Sequence, residues 1–266
     1  MKQNRLDLLL TERGMVETRN LAQRIIMAGE VRVNGEIVDR PSAQVWESDE
    51  VILQSKPRYV SRGGEKLDAG LLAFGLTQLD GKVCADVGAS TGGFTDCLLQ
   101  HGAKVVFAID VGTGLLHWKL RNDPHVILME KTNARFIREL PQKIELATID
   151  ASFISLKILI PVVKNWLIKE GLIIALIKPQ FEAGREISAR GKGVIRDPQV
   201  HLKVLKEIIL FTYDCGFEII GILASPIIGP KGNREFLICL SFPRHSLENG
   251  EMIFERMILD NDQLGL

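Results

Sequence analysis

The chain has 266 residues, with 33 Lys and Arg against 33 Asp and Glu, so it is long enough for two domains and any basic surface must be local. Its four cysteines, Cys84, Cys97, Cys215 and Cys239, stand singly in apolar runs without C-x-x-C spacing, which argues for buried thiols rather than zinc ligands or a disulfide framework. An N-terminus carrying Arg5, Asp7 and Glu12 is no signal peptide, and the most apolar span, 156–177, is broken by Lys157, Lys164, Lys169 and Glu170 and is no membrane helix; a cytoplasmic protein without stable membrane association is expected.

Residues 1–55 read as a small α+β unit. Leu6, Leu9 and Leu10 recur at helical spacing until Gly14. A second helix carries Leu21, Ile25 and Ile26 on one face, with Arg19 and Arg24 beside them, and ends at Gly29. Two alternating runs around Asn34-Gly35 then signal a hairpin. So small a unit suits binding rather than catalysis, with Arg5, Arg19 and Arg24 available for phosphates. The nearby acids, Glu47, Asp49 and Glu50 among them, nearly cancel that charge, and a solvated face of mixed sign is the competing reading. The order of residues favours the first. Arg5-Leu6-Asp7 opening one helix, Thr18-Arg19 opening the next, and the run from Gly29 to Gly35 together resemble the S-four RNA-binding domain, named for a ribosomal protein. The resemblance implies RNA binding. Thr18 stands where that family commonly has Ser and still offers a capping hydroxyl.

A linker is expected over 56–65, containing Pro57, Tyr59, Arg62 and the pair Gly63-Gly64, with Tyr59 and Arg62 either touching RNA or packing the junction. From Leu67 a helix runs towards Phe74. The remainder, 66–266, alternates in βα fashion. Apolar runs at 83–87, 105–109, 126–129, 146–149, 172–177, 218–223 and 236–240 predict seven strands, and the last two are joined too briefly for a crossover helix, so they should pair antiparallel.

The first of these runs leads into Gly88-Ala89-Ser90-Thr91-Gly92-Gly93-Phe94 and then a helix. Strand, glycine turn and helix start let a backbone approach a ligand closely and offer free N–H groups. Asp86 lies within the strand, and Asp110 closes the next run about 20 residues on, where a nucleotide-binding βαβ unit places a ribose-binding carboxylate. The turn matches neither a dinucleotide fingerprint nor a P-loop. A nucleoside ligand is the preferred reading over a tight turn in an ordinary α/β protein.

Four polar residues stand at strand ends or in connecting loops of this apolar domain: Lys66 before its first helix, Asp150 after the fourth run, Lys178 after the fifth, and Glu235 before the last. Ligands of open α/β sheets sit at the carboxyl ends of strands, so Asp150 and Lys178 should flank the same crevice as the glycine turn. Each alone reads as a surface charge; jointly they suggest a site.

The order Lys, Asp, Lys, Glu resembles the FtsJ-like ribose 2′-O-methyltransferases. With an S-four domain in front, and with the runs Ser61–Leu67, Gly88–Asp96, Asp150–Leu156 and Ile177–Glu182, the chain resembles the TlyA family, whose members often carry a hemolysin label and act as ribosomal RNA cytidine 2′-O-methyltransferases. The resemblance implies a Rossmann-like, seven-stranded and mostly parallel sheet with its last strand antiparallel. It implies S-adenosylmethionine as cofactor, ribosomal RNA or ribosomal subunits as partner, and Lys66, Asp150, Lys178 and Glu235 as catalytic tetrad, Lys178 being the candidate base.

On that reading residues 88–93 wrap the methionine portion of the cofactor, and Phe94, Val111 and Asp150 also bind it. Asp110 takes the ribose hydroxyls, Asn133 lies near the adenine, and Asp86 orients either the turn or the cofactor amine. The stretch 180–199 is expected to be a polar loop whose Arg185 and Lys192 contact RNA. No metal is assigned, because the five histidines look unclustered. A membrane-active cytolysin and a non-catalytic RNA-binding factor are the alternatives. The first needs a spanning or amphipathic segment that is not found, and the second leaves the tetrad unexplained.

Overall fold

The computed structural model describes residues 3–27, 29–53, 58–259 and 264, apart from the side chains of Arg185, Arg190, Pro230 and Leu259. Lys56 and Pro57 of the expected linker lie outside the described residues. The chain divides into two compact units between Arg58 and Tyr59.

In the first unit β1 (Gln3–Arg5) leads into α1 (Leu6–Glu12), followed by α2 (Arg19–Met27), β2 (Val31–Val33), β3 (Glu36–Ile37), β4 (Gln44–Trp46) and β5 (Val51–Leu53). The strands form an antiparallel pair, β1–β4, and a three-stranded sheet in the order β3–β2–β5. Asn34 and Gly35 both adopt positive φ, as the tight hairpin turn between β2 and β3 requires. Leu6, Leu9 and Leu10 of α1 pack with Ala22 and Ile26 of α2 over Val31, Val45 and Val51. Leu21 is exposed instead, because Ala22 takes the inward position on its helix.

The second unit opens with α3 (Gly63–Ala73) and continues through β6 (Val83–Val87), α4 (Gly93–Gln100), β7 (Val105–Ile109), α5 (Trp118–Arg121), β8 (Val126–Met129) and β9 (Ile144–Ile149). Next come α6 (Leu156–Lys164), β10 (Leu167–Ile177), α7 (Pro179–Glu182), α8 (Arg185–Arg190), α9 (Pro198–Asp214), β11 (Glu218–Ala224), β12 (Phe236–Phe242) and α10 (Gly250–Leu259). Residues 59–65, expected within a linker, pack with this unit. Tyr59 is buried against Leu67, Leu71 and Phe94, which removes it as a surface contact for RNA. Gly64 makes this fit possible, since a Cβ there would lie 2.2 Å from the Tyr59 ring. Lys66 consequently sits within the first helix rather than ahead of it.

The seven strands form one sheet in the order β11–β12–β10–β9–β6–β7–β8. β12 runs antiparallel to both neighbours, and the pairs β10–β9, β9–β6, β6–β7 and β7–β8 are parallel. Alternate residues face opposite cores: Ala85, Val87, Ala147 and Ile149 on one side, Cys84, Leu146, Ile174 and Cys239 on the other. Helices cover both faces, which is why these strands read as nearly continuous apolar runs. The order of connection reverses between β6 and β9, and a crevice opens beyond the carboxyl ends of strands at such a switch point.

Candidate active site

The glycine turn leaves β6 at this switch point. Gly88 has φ +86°, and a Cβ on it would lie 2.7 Å from the Asp150 carbonyl oxygen, so only glycine lets the turn close against the loop after β9. Gly92 at φ +96° opens α4, and a Cβ on Gly93 would meet Ser61 Oγ at 2.3 Å. Asp110, following β7, accepts from the Ser90 N–H at 2.8 Å on one oxygen and from the Gly112 N–H at 2.7 Å on the other. It ties the turn to the neighbouring loop.

Two adjoining cavities flank this framework and share Gly88, Ser90, Asp150 and Ser152. The larger, 600 Å³, is lined by Asp110, Val111, Asn133, Phe153, Ile158 and Leu159. An apolar slot with a few placed polar groups suits a nucleoside. Asn133 Oδ1 caps the turn that follows by accepting from the Arg135 N–H at 3.2 Å. The second cavity, 410 Å³, is lined by Arg62, Lys66, Ala89, Thr91, Phe94 and Lys178.

The tetrad forms two ion pairs. Lys66 of α3 donates to Glu235 Oε2 at 2.6 Å, with the Glu235 side chain fully buried. Glu235 precedes β12, whose antiparallel direction brings its N-terminal end to the carboxyl ends of the other strands. Gly229 makes room for it, since a Cβ there would lie 2.2 Å from Glu235 Oε1. Lys178, following β10, lies 2.6 Å from Asp150 Oδ1 and donates at 3.2 Å to both the Ala151 carbonyl and Ser152 Oγ. Three acceptors match the three N–H groups of an ammonium.

Asp86 is wholly buried behind the turn and lines neither cavity. It accepts from Thr95 Oγ1 at 2.7 Å and Thr148 Oγ1 at 3.1 Å, and burial raises its carboxyl to about 7 against these bonds. Of its two expected roles, this position suits orienting the turn.

Sequence reading did not single out Ser152, which belongs to both cavities, or Phe153. Phe153 is 90% exposed, holds φ +64° despite its bulk, and rests 5.0 Å from the Phe181 ring. A bulky residue in that backbone region is uncommon, and strain of this kind clusters at functional sites. Nothing in the sequence signals such a conformation. The stretch 180–199, expected as a polar loop, carries the end of α7 and all of α8. It is also clamped: the Asn233 side chain accepts from the Ile195 N–H at 3.0 Å and donates to the Gly193 carbonyl at 2.9 Å.

In the first unit Arg5 and Arg19 meet on the buried Asp7. Arg5 donates through Nε at 3.0 Å and Nη2 at 2.9 Å, Arg19 through Nε at 3.0 Å, and Gln23 adds a fourth bond at 2.9 Å. Foremost through the Arg5 bond, and despite burial, the Asp7 carboxyl is held well below the usual carboxylate range. Arg24, Arg62 and Lys192 are exposed, and Arg185 opens α8.

The FtsJ-like methyltransferase family model matches residues 59–242, and the S4 domain model matches residues 4–51. The chain is 39% identical to the 16S/23S rRNA (cytidine-2′-O)-methyltransferase TlyA of Mycobacterium tuberculosis, covering 89% of each protein. The chain belongs to the TlyA family. It is also 46% identical to a candidate rRNA methyltransferase, YqxC, of Bacillus subtilis over 97% of this chain and 92% of that protein. Among solved structures, a candidate hemolysin from Streptococcus thermophilus superposes with a TM-score of 0.72 at 41% identity, covering 98% of this chain and 96% of that one. This TlyA-family chain is thus an S4 domain joined to a methyltransferase domain. Among its described residues no helix is long and apolar enough to cross a membrane.

Proposed function

We propose that the chain transfers a methyl group from S-adenosylmethionine to a ribose 2′-hydroxyl of ribosomal RNA, with cytidine the expected nucleoside and ribosomal subunits in the cytoplasm the partner. The observation that carries this reading is the meeting of the two cavities at Gly88, Ser90, Asp150 and Ser152. The 600 Å³ cavity fits the cofactor: Asp110 can receive ribose hydroxyls with its remaining lone pairs, Asn133 borders the base end, and Gly88 keeps the backbone low. S-adenosylmethionine supplies an electrophilic methyl group on a sulfonium, which becomes a thioether when the methyl leaves.

The chain's own residues then hold the acceptor ribose in the second cavity, between Lys66 and Lys178. The 2′-oxygen forms the new C–O bond while its proton passes to Lys178 Nζ. Because Asp150, Ala151 and Ser152 engage all three N–H positions of an ammonium, Lys178 must first release one proton to act as base. Glu235 holds Lys66, and Asp150 holds Lys178, so positioning contributes alongside deprotonation. Arg5, Arg19 and Arg24 of the first unit, with Arg62, Arg185 and Lys192 of the second, supply cations for the RNA backbone.

The test is labelled methyl transfer to ribosomal subunits lacking 2′-O-methylation, with the parent protein and Lys178→Ala in parallel. Incorporation at a ribose 2′-oxygen is expected from the parent, with roughly a 10²- to 10⁴-fold slower rate in the folded variant. No incorporation by the parent into either subunit or into assembled ribosomes would overturn the reading.

A further inference from the structure

Away from the catalytic cavities, three residues distant in sequence converge between α3 and α4. Asp68 lies on α3, Cys97 on α4, and His101 caps the end of α4 one helical turn later. One ligand-type atom from each lies within 4.8 Å of the others. Cys97 is wholly buried, the His101 side chain is 11% exposed and the Asp68 side chain 28% exposed, which leaves the carboxylate as the open side. The buried Tyr59 hydroxyl faces Asp68 and Cys97 from the segment before α3.

The imidazole is oriented as metal-binding histidines are. Its Nδ1 lies 2.8 Å from the Thr77 carbonyl oxygen, a pairing that requires a hydrogen on Nδ1. Nε2 is thereby turned inward, 2.8 Å from Asp68 Oδ1. With oxygen acceptors against both ring nitrogens, the Nε2 position needs a cation on it, either a proton or a metal ion. A backbone carbonyl holding the outer nitrogen fixes the tautomer and raises ligand basicity.

We infer that Asp68, Cys97 and His101 form a binding site for a zinc-like divalent ion at the α3–α4 junction. Thiolate, imidazole and carboxylate are the donor set of tetrahedral zinc, and the two anionic ligands balance the charge of the ion. The fourth position falls to water entering beside Asp68 or to the Tyr59 hydroxyl. Binding exchanges protons for metal: the Cys97 thiol releases one, and the proton shared between His101 Nε2 and Asp68 leaves with it, two per ion. The ion ties together the helix that carries Lys66 and the helix that begins at Gly93, outside both catalytic cavities. Its role is to brace the site, and it takes no part in methyl transfer.

Cobalt(II) serves as the probe on chelator-treated full-length protein, because a thiolate ligand gives it a charge-transfer band and a tetrahedral site gives it intense visible bands. One equivalent is expected to saturate both sets of bands in the parent. In Cys97→Ser the charge-transfer band should vanish although Cys84, Cys215 and Cys239 remain. His101→Ala and Asp68→Asn should weaken binding by at least the roughly 10- to 100-fold that loss of an outer-shell partner costs a metal site. Zinc should raise the melting temperature of the parent and leave that of Cys97→Ser unchanged. Absence of a saturable cobalt spectrum in the folded parent, or the same charge-transfer band in Cys97→Ser, would overturn the inference and leave His101 as a hydrogen-bonded bridge between Asp68 and Thr77. Neither result depends on methylation, so the site stands or falls separately from the proposed reaction.

Discussion

Each unit buries an acid within the motif that defines it, and the two are treated in opposite ways. Asp7 is met by two guanidinium groups and an amide, so its charge survives burial and its carboxyl is held low. Asp86 is met only by neutral donors, the Thr95 and Thr148 hydroxyls and the Thr95 N–H, which do not offset the loss of water around a charge, and its carboxyl rises to about 7. In the RNA-binding unit the acid organises cations that face outward; in the methyltransferase unit it pins a turn and offers no dependable charge to a ligand. Lys66 and Lys178 form a third case, because there cation and anion are buried together.

The largest effect is expected where that third case is broken. In the Lys66–Glu235 pair the carboxylate is fully buried and the ammonium nearly so. Lys66→Met should cost about 3–5 kcal/mol in denaturant unfolding, because it strands a buried anion. Adding Glu235→Leu should restore most of that stability but not methylation. Lys178→Met should cost less, since the Asp150 side chain is 23% exposed and can regain water. Equal losses in the two lysine variants would mean that burial does not distinguish the pairs.

The two acids should give opposite pH slopes. For Asp86 the folded-state carboxyl is raised, so its contribution to stability is full below the unfolded value near 3.8 and is lost as pH rises through about 7. Asp86→Asn retains partners for Thr95 and Thr148 and removes that penalty. Above pH 7 the variant should therefore be the more stable by an amount on the order of 4 kcal/mol, with the difference closing towards pH 4. For Asp7 the folded-state carboxyl is lowered, so its contribution is full above about 4 and is lost on acidification. Asp7→Asn should cost roughly 1–3 kcal/mol at neutral pH and progressively less below pH 4. Thermal unfolding of both variants between pH 3 and 8 measures the pair, and slopes of the same sign would contradict the comparison.

Much of the second unit was legible because its sheet is covered on both faces. Uninterrupted apolar runs marked all seven strands, and the short link between the last two marked their antiparallel pairing. Asp150, Lys178 and Glu235 drew attention because polar residues at strand ends stand out against such runs. Tertiary fit stayed hidden. Gly63 and Gly64 read as a boundary, yet they begin α3, since Gly64 admits the Tyr59 ring and poor helix propensity is overridden by packing. The short helices α7 and α8, of four and six residues, are too brief to show periodicity within a polar stretch. Asp68 and His101 lie 33 residues apart, and only the packing of α3 on α4 brings them together. The arginines of the first unit looked like free phosphate ligands because the sequence does not reveal that Asp7 gathers two of them.

That clasp also sets the smallest expected effect. Arg5 commits Nε and one terminal nitrogen to Asp7, whereas Arg19 commits Nε to it. The Arg19 side chain is also the more exposed of the two, at 49% against 37%, so more of its guanidinium can reach a phosphate. Arg19→Ala should reduce the salt dependence of ribosomal RNA binding, the slope of log K against log salt, by about 0.7–0.9, with only a several-fold loss of affinity near physiological salt. Asp7→Asn retains both cations but loosens their geometry. It should weaken binding while leaving the slope nearly unchanged. An unchanged slope in Arg19→Ala would mean that Arg19 faces no phosphate and that the clasp serves only to hold α1 and α2 together.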